Sequence, residues 1–450
     1  MDMTELEALR AAAQRKLDRQ AAVAAGYQAY YDDESGIIAL MDTEERRTFR
    51  ALLAEARANL AELVVNAVAE RLQVTGFRFG NEEDSRAAWA IWQANSMDAD
   101  AEMLQTDALT QGSSFVLVQP DESSPVGVTI SPESALQATV LYQPGNRHRR
   151  RAGYKRWTDE ATSGRTEVLI TPDEIVTWEP GTNRARPQVE PNPAGVVGMV
   201  ELAPQPRTVG PPRSELLSVI PIQDRVHTTL FNRSVSVDYG ANRQVWATGI
   251  KVAREVIKAQ DGTDTTKVSR PFQIGANRLL TNENPDGRFG SIAESNLQGY
   301  LDAVKQDVEL LASITQTPAH YLLGTVANLS ADALKAAEAG LVSKVRRRAL
   351  HLGEDWEEVI RLGLQFIGSP AAADVSAEVI WADFETRTEG QLVDALVKMA
   401  TLKVPYEVLW EKWGATQQEI ERWHELNEGT PEPEPPPQPQ PEPQPTPAAA

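Results

Sequence analysis

The consecutive acids Asp32, Asp33 and Glu34 come nearest to reactive chemistry in this chain, because carboxylates that share divalent ions are the core of two-metal phosphodiester cleavage. Consecutive acids cannot all face one ion, however, and no lysine or second acid motif completes the set, so a solvated loop is the plainer reading. The run Asn282, Asn284, Asp286, Gly287 imitates the opening of a calcium loop, but Ala293 stands where the twelfth position requires a bidentate acid. The five histidines, His148, His227, His320, His351 and His424, are too scattered to suggest a metal pair and read as structural or solvated. There is no GxxxxGK[ST] loop, no GxGxxG, no GxSxG elbow and no HExxH. With no cysteine there is no thiolate nucleophile, disulfide or Cys-based zinc site. The expectation is a non-enzymatic chain without a cofactor, built to assemble.

Two basic clusters are the remaining chemical feature. RHRRRAGYKR, over 147–156, carries Arg149, Arg150 and Arg151 between β-rich segments. It reads either as a solvated hairpin loop or as a contact with DNA or a neighbouring shell protein. KVRRR, over 344–348, carries Arg346, Arg347 and Arg348, which wrap around a helix so that at most two face one partner. Pairing with Glu354, Asp355 or a neighbouring subunit's acids competes there with contact to DNA. The net charge of −20 is the wrong sign for a chain whose main task is to grip phosphate. It suits solubility, or a surface past which DNA slides without sticking.

The elements that would position these residues are mostly helical. At 450 residues the chain has room for about two to four domains. Its N-terminus is helix-forming and lacks the apolar core of a signal peptide, and no run of about 18 apolar residues predicts a membrane span. Apolar spacing predicts one helix from Asp42 to Leu72 and another over 83–110 with Trp89, Trp92 and Leu104 inward. Short β-rich runs over 114–200 predict an antiparallel meander, and the Pro-rich stretch 187–212 reads as a linker. Pro221 opens a helix with Ile222, Val226, Leu230 and Val237 on one stripe; it is followed by extended segments around a small helix at 252–259. Asn296 opens another, with Leu297, Leu301, Val304, Val308 and Leu311 on its stripe until Pro318 stops it. A long helix over 331–367 would span about 55 Å, with glycines at 340, 353 and 363 inviting bends. Beyond Pro370 come a strand-like EVIWADF and helices over 392–399 and 417–426, and the Pro-, Gln- and Glu-rich 430–450 is expected to be disordered or polyproline II.

Two blocks in this order resemble a known family. SELLSVIPIQDRVHTTLFNRSVSVDYGANRQVWATG (214–249) and NLQGYLDAVKQDVELLASITQTPAHYLLGTVANLSADALKAAEAGLVSKVRRRALHLGEDWEEVIRLGL (296–364) resemble phage portal proteins, in particular the Gp6-like family of siphophages that infect actinobacteria. The resemblance implies a mainly helical α+β portal fold: wing helices and a β meander over 1–213, a first stem helix over 214–239 and a clip over 240–295. It further implies a second stem helix over 296–317, a tunnel loop over 318–330, a long wing helix over 331–369, a small crown over 370–429 and a Pro-rich tail over 430–450. The implied function is a twelve-subunit ring at one capsid vertex in the virion, assembled in the host cytoplasm, through which double-stranded DNA is packaged and ejected. The implied partners are the terminase large subunit, the head-to-tail adaptor and the major capsid and scaffolding proteins, with no membrane involved. Thr325, Asn328 and Ser330 of the tunnel loop would approach the DNA without fixed charge, Ser330 also being able to cap the next helix. Ile222, Val226, Leu230, Leu297, Leu301, Val304 and Val308 would pack the stem. The rival readings are a smaller adaptor or scaffolding-like protein and a metal-dependent nuclease built on the acids at 32–34.

Overall fold

A computed structural model describes residues 2–34, 56–180, 187–241, 245–248, 254–258, 264–268, 286, 288–291, 296–324, 331–385 and 389–428. The architecture is mixed α+β and mainly helical. Helix α1 (Met3–Tyr31) places Leu6, Leu9, Ala13 and Leu17 on one face at helical spacing. That face covers the five-stranded antiparallel sheet of β4 (Ala138–Gln143), β5 (Asn146–Thr158), β6 (Arg165–Ile170), β7 (Glu174–Trp178) and β8 (Gln188–Pro191), packing on Ala152, Tyr154, Leu169, Val176 and Trp178. Arg10 lies in this seam with its guanidinium 4.2 Å from the Trp178 ring centroid and 2.9 Å from Glu167. Burial opposes ionisation of Glu167, but Arg10 and Gln14 outweigh it and hold the carboxyl below its ordinary range.

Three expectations about helix continuity change. Asn59 caps α2 (Leu60–Ala69) by accepting from the Glu62 N–H, so this helix begins at Leu60 rather than at Asp42; residues 35–55 lie outside the described residues. The predicted helix over 83–110 is two helices, α3 (Glu82–Ala94) and α4 (Met97–Gln111). Ser96 sits between them at φ 56°, and the Asn95 side chain bonds both the Ile91 carbonyl and the Ile130 N–H across the break. The small helix expected at 252–259 is instead strand β11 (Arg254–Lys258), paired antiparallel with β12 (Asp264–Val268). Antiparallel pairing with 264–268 overrides the helix-compatible composition of this segment.

The stretch 187–212 is also more than a linker. β8 extends the five-stranded sheet, and β9 (Met199–Leu202) pairs with β2 (Ser114–Pro120), which also pairs with β3 (Val128–Glu133). Gly198 is needed just before β9, because a Cβ there would meet the Val118 carbonyl oxygen while the Val118 N–H bonds the Gly198 carbonyl at 2.8 Å. Strand β1 (Val74–Arg78) pairs antiparallel with β14 (Glu378–Trp381), joining segments far apart in the sequence. In the region expected to form the clip, β10 (Val245–Thr248) pairs with β13 (Arg288–Ser291).

The largest core gathers around the 36-residue helix α8 (Ala331–Phe366), whose Leu341, Val345, Leu352, Trp356, Val359 and Ile360 are fully or nearly fully buried. Trp356 meets Trp92 edge-on at 5.1 Å, and Trp92 in turn packs on Phe77 and Trp89. Buried in the same core are the inner halves of α5 (Ile220–Ala241), which follows a short 3₁₀ turn at Glu215–Ser218, and of α6 (Leu297–Thr315), after which comes the short α7 (Ala319–Leu323). After β14 come α9 (Glu389–Thr401), α10 (Tyr406–Trp413) and α11 (Gln417–Glu428). Among the described residues no helix is long and apolar enough to cross a membrane.

Candidate assembly site

Helices α5 and α6 run side by side in opposite directions. Arg225 pairs with Asp307 at 2.6 Å near one end, and Ser236 bonds the Tyr300 hydroxyl at 3.2 Å toward the other. Burial along this pair is graded. Ile222, Val226, Val308 and Leu311 are buried at the end nearer the core, and Leu230 and Val304 are partly buried one to two turns further out. Val237, Leu297 and Leu301 are then 48%, 38% and 46% exposed. From Val308 to Leu297 the stripe climbs about 16 Å at 1.5 Å per residue, so it outruns the chain's own core. A buried leucine contributes roughly 1.5–3 kcal/mol relative to an exposed one, and the outer half of the stripe leaves that contribution unrealised within one subunit. A second strip on α6, Leu310 and Ile314, is also about half exposed and lies off the single stripe that the sequence spacing predicts.

At the root of the pair sits a buried ion cluster. Glu215, at the start of the 3₁₀ turn, lies 2.9 Å from Lys344 and 2.6 Å from Arg348, both on α8, and accepts from Gln205 at 2.7 Å. Lys344 also donates to the Thr315 carbonyl at the last turn of α6 at 3.0 Å, and Arg347 reaches the Gln316 side chain at 2.8 Å. One carboxylate and one ammonium therefore join the beginning of α5, the end of α6 and the middle of α8. Burial works against the Glu215 charge, but Lys344 and Arg348 outweigh it and hold the carboxyl below its ordinary range; burial pushes the Lys344 amine down. Sequence reasoning passed over Glu215, a single acid among apolar residues; the only signal was the i,i+4 spacing of Lys344 and Arg348, which puts both on one face.

The basic clusters are largely occupied within the chain. Arg346 pairs with Glu385 at 2.9 Å and Arg348 with Glu215, in place of the expected Glu354 or Asp355. Asp355 instead accepts from the Ala203 N–H at 2.8 Å, and burial pushes its carboxyl well above the ordinary range. Arg149, Arg150 and Arg151 lie along strand β5 rather than in a loop, because the chain turns earlier, at Gly145 with φ 78°. Arg150 pairs with Glu358, Arg151 lies 3.6 Å from Glu5, and Arg149 is exposed.

The acids at 32–34 diverge. Asp32 accepts from Gln28 and lies close enough to Asp107 that burial first, and the Asp32 charge second, push the Asp107 carboxyl up to about 6. Asp33 faces His227 at 3.9 Å. Among the described residues no three His, Asp or Glu side chains are grouped so as to hold a metal ion. His227 is buried against Gln223 and the Ala58 carbonyl, and His424 packs on Trp410. Thr325, Asn328 and Ser330, like Asn282, Asn284, Gly287, Ala293 and the Pro-rich tail, lie outside the described residues.

A family model described as "Phage portal protein, SPP1 Gp6-like" matches residues 26–432. The chain is 26% identical over 385 residues to the portal protein of Mycobacterium phage L5, covering 82% of this chain and 77% of that protein. It is 25% identical over 394 residues to the portal protein of Mycobacterium phage D29, covering 82% and 79%. Among solved structures it is similar to a chain of the virion of a native gene transfer agent particle, with a TM-score of 0.42, 11% identity and coverage of 83% and 90%.

Proposed function

The chain belongs to the SPP1 Gp6-like family of phage portal proteins, and from that premise we propose that it is the repeating subunit of a closed ring, of about twelve copies, at one vertex of the capsid. Its role is structural. The observation that carries the ring reading is the graded stripe on α5 and α6: apolar residues buried at the root and exposed toward the far end are what a subunit needs when its neighbours complete the wall. On this reading 214–239 and 296–317 are the two stem helices, 240–295 the clip between them, 331–369 the long wing helix, 1–213 the rest of the wing and 370–429 the crown. The clip would meet the terminase and later the head-to-tail adaptor, and the wing the capsid and scaffold.

Double-stranded DNA would pass through the channel during packaging and ejection without being read. The acidic balance and the engagement of Arg346, Arg347 and Arg348 with side chains of their own subunit support a conduit that DNA slides past rather than grips. Thr325, Asn328 and Ser330 are the residues we place nearest the DNA. Native mass spectrometry of purified protein, with negative-stain imaging of the same sample, tests the proposal. Closed rings with a central channel are expected; monomers alone at micromolar concentration would count against it.

A further inference from the structure

Helices α10 and α11 carry an aromatic surface that the portal reading leaves unused. Tyr406 lies 6.2 Å from Trp410, Trp410 lies 5.4 Å from Trp423, and Trp423 lies 5.8 Å from Trp413. The four rings form a continuous ladder across the two helices, joined by His424 at 5.3 Å from Trp410. Tyr406 is 66% and Trp413 53% exposed, so the ladder is open to solvent at both ends. The module itself is held to the body elsewhere: Arg78 pairs with Glu411, Arg86 with Glu421, and Gln417 packs on Gly76.

The segment that follows is chemically matched to such a surface. Three residues beyond the end of α11 at Glu428 begins PEPEPPPQPQPEPQPTP, with proline at nearly every second position and three in a row at Pro435, Pro436 and Pro437. Proline at this density favours polyproline II, whose rings pack on aromatic side chains and whose unpaired carbonyls accept from indole N–H groups. The family match ends at residue 432, so nearly all of this segment lies outside what the family shares.

We propose that the chain's own residues 431–447 dock as a polyproline II strand along the Tyr406–Trp410–Trp423–Trp413 ladder. Reach permits it. Trp423 lies five residues before the end of α11, about 7.5 Å back along the helix axis, and three polyproline II residues cover about 9 Å. Gly429 supplies a residue suited to reversing the chain at a helix C-terminus. On this proposal a reversal there would bring Pro431–Pro437 alongside the rings. The short connection raises the local concentration of the strand to about 1 mM, so a free-peptide dissociation constant of about 0.1 mM leaves the docked state about tenfold favoured.

The test compares the full chain with one ending at Thr430 by hydrogen–deuterium exchange, following peptides from 406–428. Exchange there is expected to rise about tenfold on truncation and to return toward the full-chain rate when a synthetic 431–448 peptide is added at millimolar concentration. The same peptide with Pro433, Pro435, Pro437 and Pro439 replaced by alanine should not restore it. Equal exchange in the two proteins would overturn the proposal, as would equal restoration by the alanine-substituted peptide. Protection that both proteins lose equally on dilution would show a second copy of the chain on this face, and would also overturn it. None of these outcomes depends on whether the ring forms.

Discussion

Replacing Glu215 by glutamine keeps the shape of the side chain and removes the one negative charge between Lys344 and Arg348. At 2.9 and 2.6 Å, and with an effective dielectric of about 20, each contact represents a gross attraction of about 6 kcal/mol. Most of that is cancelled by the cost of taking three charges out of water, so the intact cluster contributes little net stability. Glu215→Gln removes the compensation and leaves the cost, and loss of one partner from a buried pair costs about 3–5 kcal/mol. The lower end is expected, because Lys344 keeps the Thr315 carbonyl and can shed its proton. The Glu215 carboxyl is held below its ordinary range, so its favourable contribution is present above the unfolded value near pH 4.5 and is lost as pH falls through the lower folded value. Denaturation curves of wild type and Glu215→Gln should therefore lie about 3 kcal/mol apart at pH 7.5 and converge in acid, with faster amide exchange at the end of α6 in the variant. A difference under about 1 kcal/mol at pH 7.5, or one that does not shrink in acid, would refute the reasoning.

Leu301→Asp places a charge on a side chain 46% exposed in one subunit, so monomer stability should change by no more than about 0.5 kcal/mol, whereas ring assembly seen by analytical ultracentrifugation should fail. Burial first, and the Glu354 and Glu378 charges with it, outweigh the Val379 N–H and push the Glu357 carboxyl up to about 7. The native state then holds the proton more tightly than the unfolded chain, and stability falls as pH rises from about 4.5 to 7. Glu357→Gln should flatten that slope and add roughly 1 kcal/mol at pH 8, after allowance for solvent screening, as read by urea denaturation. Gly198→Ala drives a methyl against the Val118 carbonyl and should lower the yield of folded protein sharply, whereas Gly195→Ala meets only the strain of a positive φ and should be tolerated better.

The mainly helical α+β class and the family were legible in the sequence because both rest on long signals: apolar residues at helical spacing over 297–311 and 341–360, and two extended blocks in a fixed order. Local decisions made by tertiary contacts were not legible. The break at Ser96 depends on a left-handed non-glycine residue steadied by Asn95, which bonds Ile130 from another element. The Val256–Ile257 segment has a helix-compatible composition and becomes a strand only through its partner over 264–268. Spacing identified the stripes of α5 and α6 but carried no information about where burial stops, because that depends on how far the core around α8 extends. Glu215 could not be paired with Lys344 from sequence, since 129 residues separate them and nothing local in the 3₁₀ turn demands a buried charge.

The central claim, that the exposed outer half of the stripe on α5 and α6 is covered by neighbouring copies, is tested most directly by native mass spectrometry of wild type beside Leu301→Asp at the same micromolar concentration. The account expects closed rings of about twelve subunits for wild type and monomers or small open species for the variant, both folded by circular dichroism. Rings of equal stability in both proteins would contradict it, since the residue at the heart of the interface would then have been shown to lie outside it.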